Sequence, residues 1–250
     1  MALELNEVHH GDCLELMRDI PGGSVDMILC DLPYGTTRNK WDSIIPLDAL
    51  WAEYGRVIKE RGAIVLTAQT PFDKVLGASN IRQLKYEWIW EKMEATGFLN
   101  AKKMPLKNHE NILVFYKKLP TYNPQMTAGK SYKYKKDSIS SSNYGDSKGT
   151  DLIENEGKRY PKTVQVFKKD KGVHPTQKPV ALFEYLIRTY TNEGETVLDN
   201  CIGSGTTGAA AVNTGRNFIG IEKDGEYTRV SRERISRVIS DKTNEGSTII

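Results

Sequence analysis

A chain of 250 residues can bury one sizeable core, or one core carrying an inserted module. Its 38% hydrophobic and 27% charged residues are ordinary for a soluble protein, and no apolar run approaches the roughly eighteen residues that would cross a bilayer. A net charge of +3 is too small to name a partner, and three scattered cysteines, Cys13, Cys30 and Cys201, fit neither a disulfide scaffold nor a metal site. With no secretion-type signal in Met1–Leu5, these features predict a reduced, cytoplasmic setting.

Glu7–Asp12 reads as a short strand ending in a turn, followed by a short helix over Cys13–Arg18 that Pro21-Gly22-Gly23 breaks. Val25–Cys30 is a buried strand running into Asp31-Leu32-Pro33-Tyr34-Gly35. Leu47, Leu50, Trp51, Tyr54 and Ile58 recur at helical spacing, Arg61-Gly62 should end that helix, and Ala63–Ala68 is a further strand. Pro71 stands near the start of another helix. Tyr86–Glu91 and Asn111–Tyr116 read as two strands of a long hairpin joined by a basic connection.

From Leu119 to about Gly172 the periodicity fades. Lys117–Lys136 holds six lysines and no acid, interleaved with tyrosines. Lys130, Tyr132, Lys133, Tyr134, Lys135 and Lys136 suit a nucleic-acid surface, with charge for phosphates and rings for bases. A solvated, partly disordered insertion explains the same composition, and Ser138–Ser142 is nearly low-complexity. Order returns with a helix over Val180–Tyr190, a strand over Thr196–Asp199, a helix over Thr206–Asn213, a strand over Asn217–Glu222 and a helix over Glu226–Ile239, before a polar tail expected to fray. Six or seven strands alternating with helices predict a Rossmann-like, doubly wound, mostly parallel α/β sheet. The expected division is a catalytic and cofactor-binding domain over 1–118 and 172–250, with an insertion over 119–171.

Two stretches carry chemistry. In the first, Asp31 and the carbonyl of Leu32 are acceptors, Pro33 stiffens the backbone and Tyr34 offers a flat ring, an arrangement that could hold an exocyclic amino group. In the second, Asp199-Asn200-Cys201-Ile202-Gly203-Ser204-Gly205-Thr206-Thr207 joins a strand to a helix, and Glu222 ends the next strand where it could accept ribose hydroxyls. A third glycine at the pyrophosphate spacing is missing, and Asp199 would repel phosphate but favour an ammonium. That combination points to S-adenosylmethionine, with a helix cap as the structural alternative for Asp199.

Together these motifs resemble the amino-group DNA methyltransferases, which act on adenine N6 or cytosine N4. Asp31-Leu32-Pro33-Tyr34 resembles their catalytic signature, with Leu32 in place of the commoner first proline. Asp199–Gly205 resembles their cofactor signature, with Asn200 and Cys201 replacing a proline and an aromatic. The catalytic motif comes first by about 170 residues, as in the permuted beta arrangement. His174–Pro179 resembles the segment leading to the cofactor strand, Gly11-Asp12-Cys13 the turn near the cofactor adenine, and Asn108-His109-Glu110 the hairpin beside the catalytic pocket.

The resemblance implies cofactor contacts at Asp12, Cys13, Asp31, Lys178, Asp199, Asn200, Cys201, Gly203, Gly205, Thr206, Thr207, Glu222 and Lys223, and target recognition in the insertion. It implies double-stranded DNA as substrate, base flipping and direct methyl transfer, and no metal. Asp31 favours adenine over cytosine. A bacterial or phage source, a homodimer and a cognate restriction endonuclease all fit the resemblance. The rival of another class is a non-catalytic DNA-binding protein with a relict fold.

Overall fold

The computed structural model describes residues 2–35, 43–136, 139–141, 145–147, 150–170 and 177–247. The chain divides into two compact units, Met1–Asn123 with Thr163–Ile250, and Pro124–Lys162.

The larger unit is built on eight strands: β1 (Glu7–His10), β2 (Val25–Asp31), β3 (Ile58–Ala68), β4 (Leu84–Thr96), β5 (Lys107–Phe115), β6 (Val164–Phe167), β7 (Thr196–Asp199) and β8 (Asn217–Glu222). Their order is β1-β8-β7-β2-β3-β5-β4-β6. Every neighbouring pair is parallel except those made by β5, which runs against β3 and β4. The carboxyl ends of seven strands and the amino end of β5 therefore share one edge. Among the described residues six α-helices accompany them: α1 (Cys13–Leu16), α2 (Leu47–Val57), α3 (Phe72–Ser79), α4 (Val180–Tyr190), α5 (Thr206–Thr214) and α6 (Gly225–Ser247).

Alternation along the central strands sorts the core into two layers. Ile28 and Cys30 of β2 pack with Leu50, Tyr54 and Phe72, while Met27 and Leu29 pack with Leu182, Leu186 and Phe183. Helices thus cover both faces, as the doubly wound reading expected.

Three local expectations need correction. Arg61-Gly62 does not end a helix: α2 stops at Val57 and both residues lie inside β3. The pairing of β2 with β3 shifts register between Val25 and Met27, and a Cβ on Gly62 would stand 2.7 Å from the carbonyl of Asp26. The glycine serves a close strand approach there. The tail expected to fray from Ser240 instead continues α6 to Ser247. Lys242 Nζ holds it by donating to the carbonyl oxygens of Val212 (2.6 Å) and Asn213 (3.2 Å) at the end of α5.

The third correction concerns the insertion. Its expected range, 119–171, includes β6, which pairs with β4 at the edge of the large sheet. Asn123 also belongs to the larger unit, its backbone N–H donating to Thr189 O at 2.7 Å. The smaller unit itself carries strands where none were expected. Thr127–Ala128 pairs with Lys158–Arg159, Tyr132–Lys136 with Thr150–Asn155, and Ile139–Ser141 with Gly145–Ser147, all antiparallel. Polar residues on both faces left no apolar alternation to read. Ser138 and Ser142 lie outside the described residues.

Candidate active site

β2 and β7 are neighbours in register, with Leu198 opposite Ile28, so the loops that follow Asp31 and Asp199 leave adjacent strands at the same edge. The two sequence motifs meet there despite their separation along the chain.

Asp31 stands at the end of β2 opposite Thr67 of β3. Its Oδ1 accepts the Tyr34 hydroxyl at 2.7 Å and also the Thr67 hydroxyl. Its Oδ2 accepts from Lys178 Nζ at 2.6 Å. The Tyr34 ring stacks on Phe72, with centroids 5.4 Å apart and planes 27° apart, and Lys178 Nζ lies 5.6 Å from its centroid. Burial, reinforced by Asp31, pushes the Tyr34 hydroxyl well above its ordinary pKa, so it stays a donor. Leu32 is buried and Pro33 half-buried. Among the four motif residues, Asp31 and Tyr34 thus form one hydrogen-bonded unit.

Lys178 was expected among the cofactor contacts. It is buried and bridges two carboxylates, Asp31 and Glu110, the latter at 3.3 Å. Burial pushes its ammonium down, but Asp31 and Glu110 outweigh it, and the net direction is up. Gln69, Thr70, Lys107, His109, Glu110 and Asn111 line a cleft at the start of β5, the hairpin the sequence placed beside the catalytic pocket. His174, Pro175 and Thr176 lie outside the described residues.

On the neighbouring loop Asp199 is buried at 3% exposure, and its carboxylate is turned into the loop. Oδ1 accepts the backbone N–H of Cys201 at 3.0 Å, and Oδ2 accepts the Thr207 hydroxyl. Burial pushes its carboxyl up to about 7, against those hydrogen bonds. Gly203 and Gly205 both have positive φ, 52° and 84°. Glu222 receives the N–H of Gly203 (2.8 Å) and of Asp224 (2.9 Å), and burial raises its pKa. Asp12 caps α1 through the N–H of Leu14 at 2.9 Å and meets Lys223 Nζ at 3.3 Å. The Gly11 N–H donates to Glu222 O at 2.9 Å, so the turn before α1 is tied to the end of β8.

The nucleoside end of a cofactor fits this cradle, whereas the Asp199 carboxylate, expected to favour an ammonium, is engaged by its own loop. A Cβ on Gly203 would meet nothing nearer than Cys201 O at 3.9 Å, so the loop presents open backbone. The half-buried carboxylate of Glu222 lies against it, and that of Asp12 meets Lys223, the residue after Glu222. Thr206 is buried and its hydroxyl faces Lys178 O at 3.4 Å.

Sequence reading missed several residues. Thr67 reaches Asp31, and Lys92 reaches Glu110 of the anticipated hairpin, from strands whose contribution depends on register. Tyr54 donates to Asn200 Oδ1 at 2.5 Å, bracing the cofactor loop from α2. The three cysteines, scattered in sequence, converge in one core cluster, and burial pushes the Cys30 thiol up to about 12. Among the described residues no group of three or more His, Cys, Asp or Glu is arranged to hold a metal ion, and no helix is long and apolar enough to cross a membrane.

The smaller unit holds the basic and aromatic residues. Tyr132 and Tyr134 lie on one face of their strand with centroids 5.7 Å apart, and the Arg159 guanidinium lies 4.6 Å from the Tyr132 centroid. Lys133 pairs with Glu154 at 2.8 Å. Lys130 and Lys135 are exposed, and Lys136 ends the strand.

A family model described as DNA methylase, covering N6 and N4 methyltransferases, matches residues 25–233. The chain belongs to this family. It is 31% identical to DNA adenine methyltransferase YhdJ of Escherichia coli (strain K12), over 93% of this chain and 83% of that protein. It is 28% identical to type II methyltransferase M.BglII of Bacillus subtilis, over 96% of this chain and 71% of that protein. Among solved structures, the M1.HpyAVI–SAM complex superposes with a TM-score of 0.64 at 26% identity, covering 91% of this chain and 98% of that one. The cytosine-N4-specific PvuII DNA methyltransferase has a TM-score of 0.68 at 15% identity, covering 95% and 92%, a likeness of fold alone. This methyltransferase therefore uses S-adenosylmethionine on DNA, and the fold expected from its sequence is the one observed.

Proposed function

We propose that the protein methylates the N6 amino group of adenine in double-stranded DNA at a specific site. The observation that carries this reading is the Asp31 carboxylate, set at a strand end beside the Asp199–Gly205 loop and held by Tyr34, Thr67 and Lys178. When bound, S-adenosylmethionine supplies an electrophilic methyl group, so the chain's own task is to position and polarise the amino nitrogen.

Asp31 Oδ2 and the Leu32 carbonyl accept the two amino protons, which draws the nitrogen toward tetrahedral geometry and localises its lone pair. Asp31 would then take the proton released as the N–C bond forms and the methyl–sulfur bond breaks, the sulfonium leaving as a neutral thioether. A base inside a duplex cannot reach these atoms, so it is flipped out. The Tyr34 ring, backed by Phe72, gives it a surface to stack on. Asp12, Glu222 and the glycine loop hold the nucleoside end of the cofactor. In the smaller unit, Lys130, Lys133 and Lys135 face phosphates, while Tyr132 and Tyr134 face bases, as target recognition over this insertion requires. The named relatives are bacterial enzymes, which suits a cytoplasmic protein, with a homodimer and a cognate restriction endonuclease as the partners to seek.

The test is transfer of labelled methyl from S-adenosylmethionine to unmethylated duplex DNA, followed by digestion to nucleosides. Label in N6-methyldeoxyadenosine is expected. Label in N4-methyldeoxycytidine would assign the cytosine reaction, and no label with intact cofactor binding would leave a relict fold.

A further inference from the structure

Four charged side chains alternate in sign beside the catalytic loop: Lys92, Glu110, Lys178 and Asp31. Lys92 pairs with Glu110 Oε1, Glu110 Oε2 faces Lys178 at 3.3 Å, and Lys178 holds Asp31 Oδ2 at 2.6 Å. Their side chains are 4%, 6%, 6% and 28% exposed, so the chain of charges reaches solvent only at Asp31. Gln69 Nε2 adds a hydrogen bond to Glu110 Oε1 at 2.8 Å. Glu110 Oε2 makes no hydrogen bond among the described residues.

Such an arrangement is a poor stabilising device. Charges withdrawn from water recover their lost hydration only with good geometry, and packed hydrophobic residues commonly do as well. Its position, however, suits the chemistry. Asp31 Oδ1 is filled by Tyr34 and Thr67, so Oδ2 is the atom left for an incoming amino group. Lys178 already occupies Oδ2. Were Asp31 its sole counter-ion, the ammonium would stay there and draw electron density from the oxygen that must accept the amino proton.

We propose that Glu110 is a positioning residue that shares the Lys178 ammonium with Asp31 and takes it up when the target amino group engages Asp31 Oδ2. Lys92 keeps Glu110 ionised and oriented for this exchange. Burial pushes the Glu110 carboxyl up, but Lys178 and Lys92 outweigh it, so it is charged at neutral pH. The inference rests on the reading of Asp31 as the amino-group acceptor.

The decisive variant is Lys92→Met with Glu110→Leu, which removes the Lys92–Glu110 pair together with the Glu110–Lys178 contact at roughly constant volume and leaves Lys178 to Asp31 alone. Its cofactor affinity, DNA affinity and single-turnover methyl-transfer rate are compared with those of the unmodified protein and of Glu110→Gln. The expected result is a folded protein with both affinities within threefold and a transfer rate lower by tenfold or more, since only the step at Asp31 is affected. A rate within threefold in either folded variant overturns the role of Glu110. Failure of both variants to bind cofactor, with Asp31→Ala still binding it, would make Glu110 a structural residue and also overturn the proposal. Undiminished transfer by Asp31→Ala would instead remove the reading on which the proposal stands.

Discussion

Asp31 and Asp199 occupy equivalent places, each the last residue of a parallel strand in the middle of one sheet, yet the protein makes different groups of them. Asp31 is partly exposed and its partners are side chains from three separate segments: Tyr34, Thr67 and Lys178. Asp199 is sealed, with a backbone N–H and a hydroxyl from its own loop and helix as partners, and no cation among them. A carboxylate beside a lysine and open to solvent keeps a counter-ion at hand. One closed over by its own loop is driven toward its neutral form, which is why Asp199 moves to about 7. Topology places both at the rim, and the partners decide which acts on substrate and which holds the scaffold.

The largest test of this contrast is loss of each carboxylate. Asp31→Ala should reduce methyl transfer by about a thousandfold or more, as removal of a group acting on the reacting atoms does, with cofactor binding by calorimetry nearly unchanged. Tyr34→Phe keeps the ring on Phe72 but deletes the hydrogen bond to Asp31. A bond to a charged group contributes about 1.5–3 kcal/mol, so a rate loss on the order of tenfold to a hundredfold is expected in single turnovers.

Asp199 should reveal itself through stability. Its folded-state pKa, about 7, lies above the ordinary value of 3.8, so the folded protein binds the extra proton. The stability gained from that proton is fully present below about pH 4 and is lost as pH rises through about 7. Asp199→Asn should therefore unfold at higher urea than the unmodified protein at pH 8. Between pH 5 and pH 8 the unmodified protein should lose about 2–3 kcal/mol more than the variant does. A parallel pH profile for the two proteins would mean that Asp199 is ionised throughout.

The smallest effects concern backbone in the cofactor loop. Gly205→Ala would combine a φ of 84° with a Cβ 3.1 Å from the Ser231 Cα, whereas Gly203→Ala has a φ of 52° and open space. Thermal unfolding should show a loss of about 2–3 kcal/mol for Gly205→Ala and about 1 kcal/mol for Gly203→Ala. Equal losses would show that strain alone, without the approach of α6, sets the requirement for glycine.

Much of the larger unit was legible because its signals are local. An apolar run followed by Asp31-Leu32-Pro33-Tyr34, and a strand followed by Asp199 and two glycines, each state their element and its end within a dozen residues. The paired motifs named the family before any contact was known. Where local signals were ambiguous the reading slipped: Gly62 looked like a helix stop because nothing nearby announces the register shift of β3 against β2 there, and the polar end of α6 shows no apolar face although Lys242 anchors it.

The amino-acid sequence alone determined the alternation of strands and helices, the residue types of both loops and hence the class of chemistry, since these follow from neighbours along the chain. Only the tertiary structure decided which side chains meet at Asp31. Lys92, Glu110 and Lys178 are brought there by the antiparallel pairing of β5 with β3 and β4 and by the segment leading into α4. A one-residue slip of β5 would turn Glu110 to the opposite face, because side chains alternate along a strand. The catalytic carboxylate is thus written in the chain, and its counter-ions are a consequence of register.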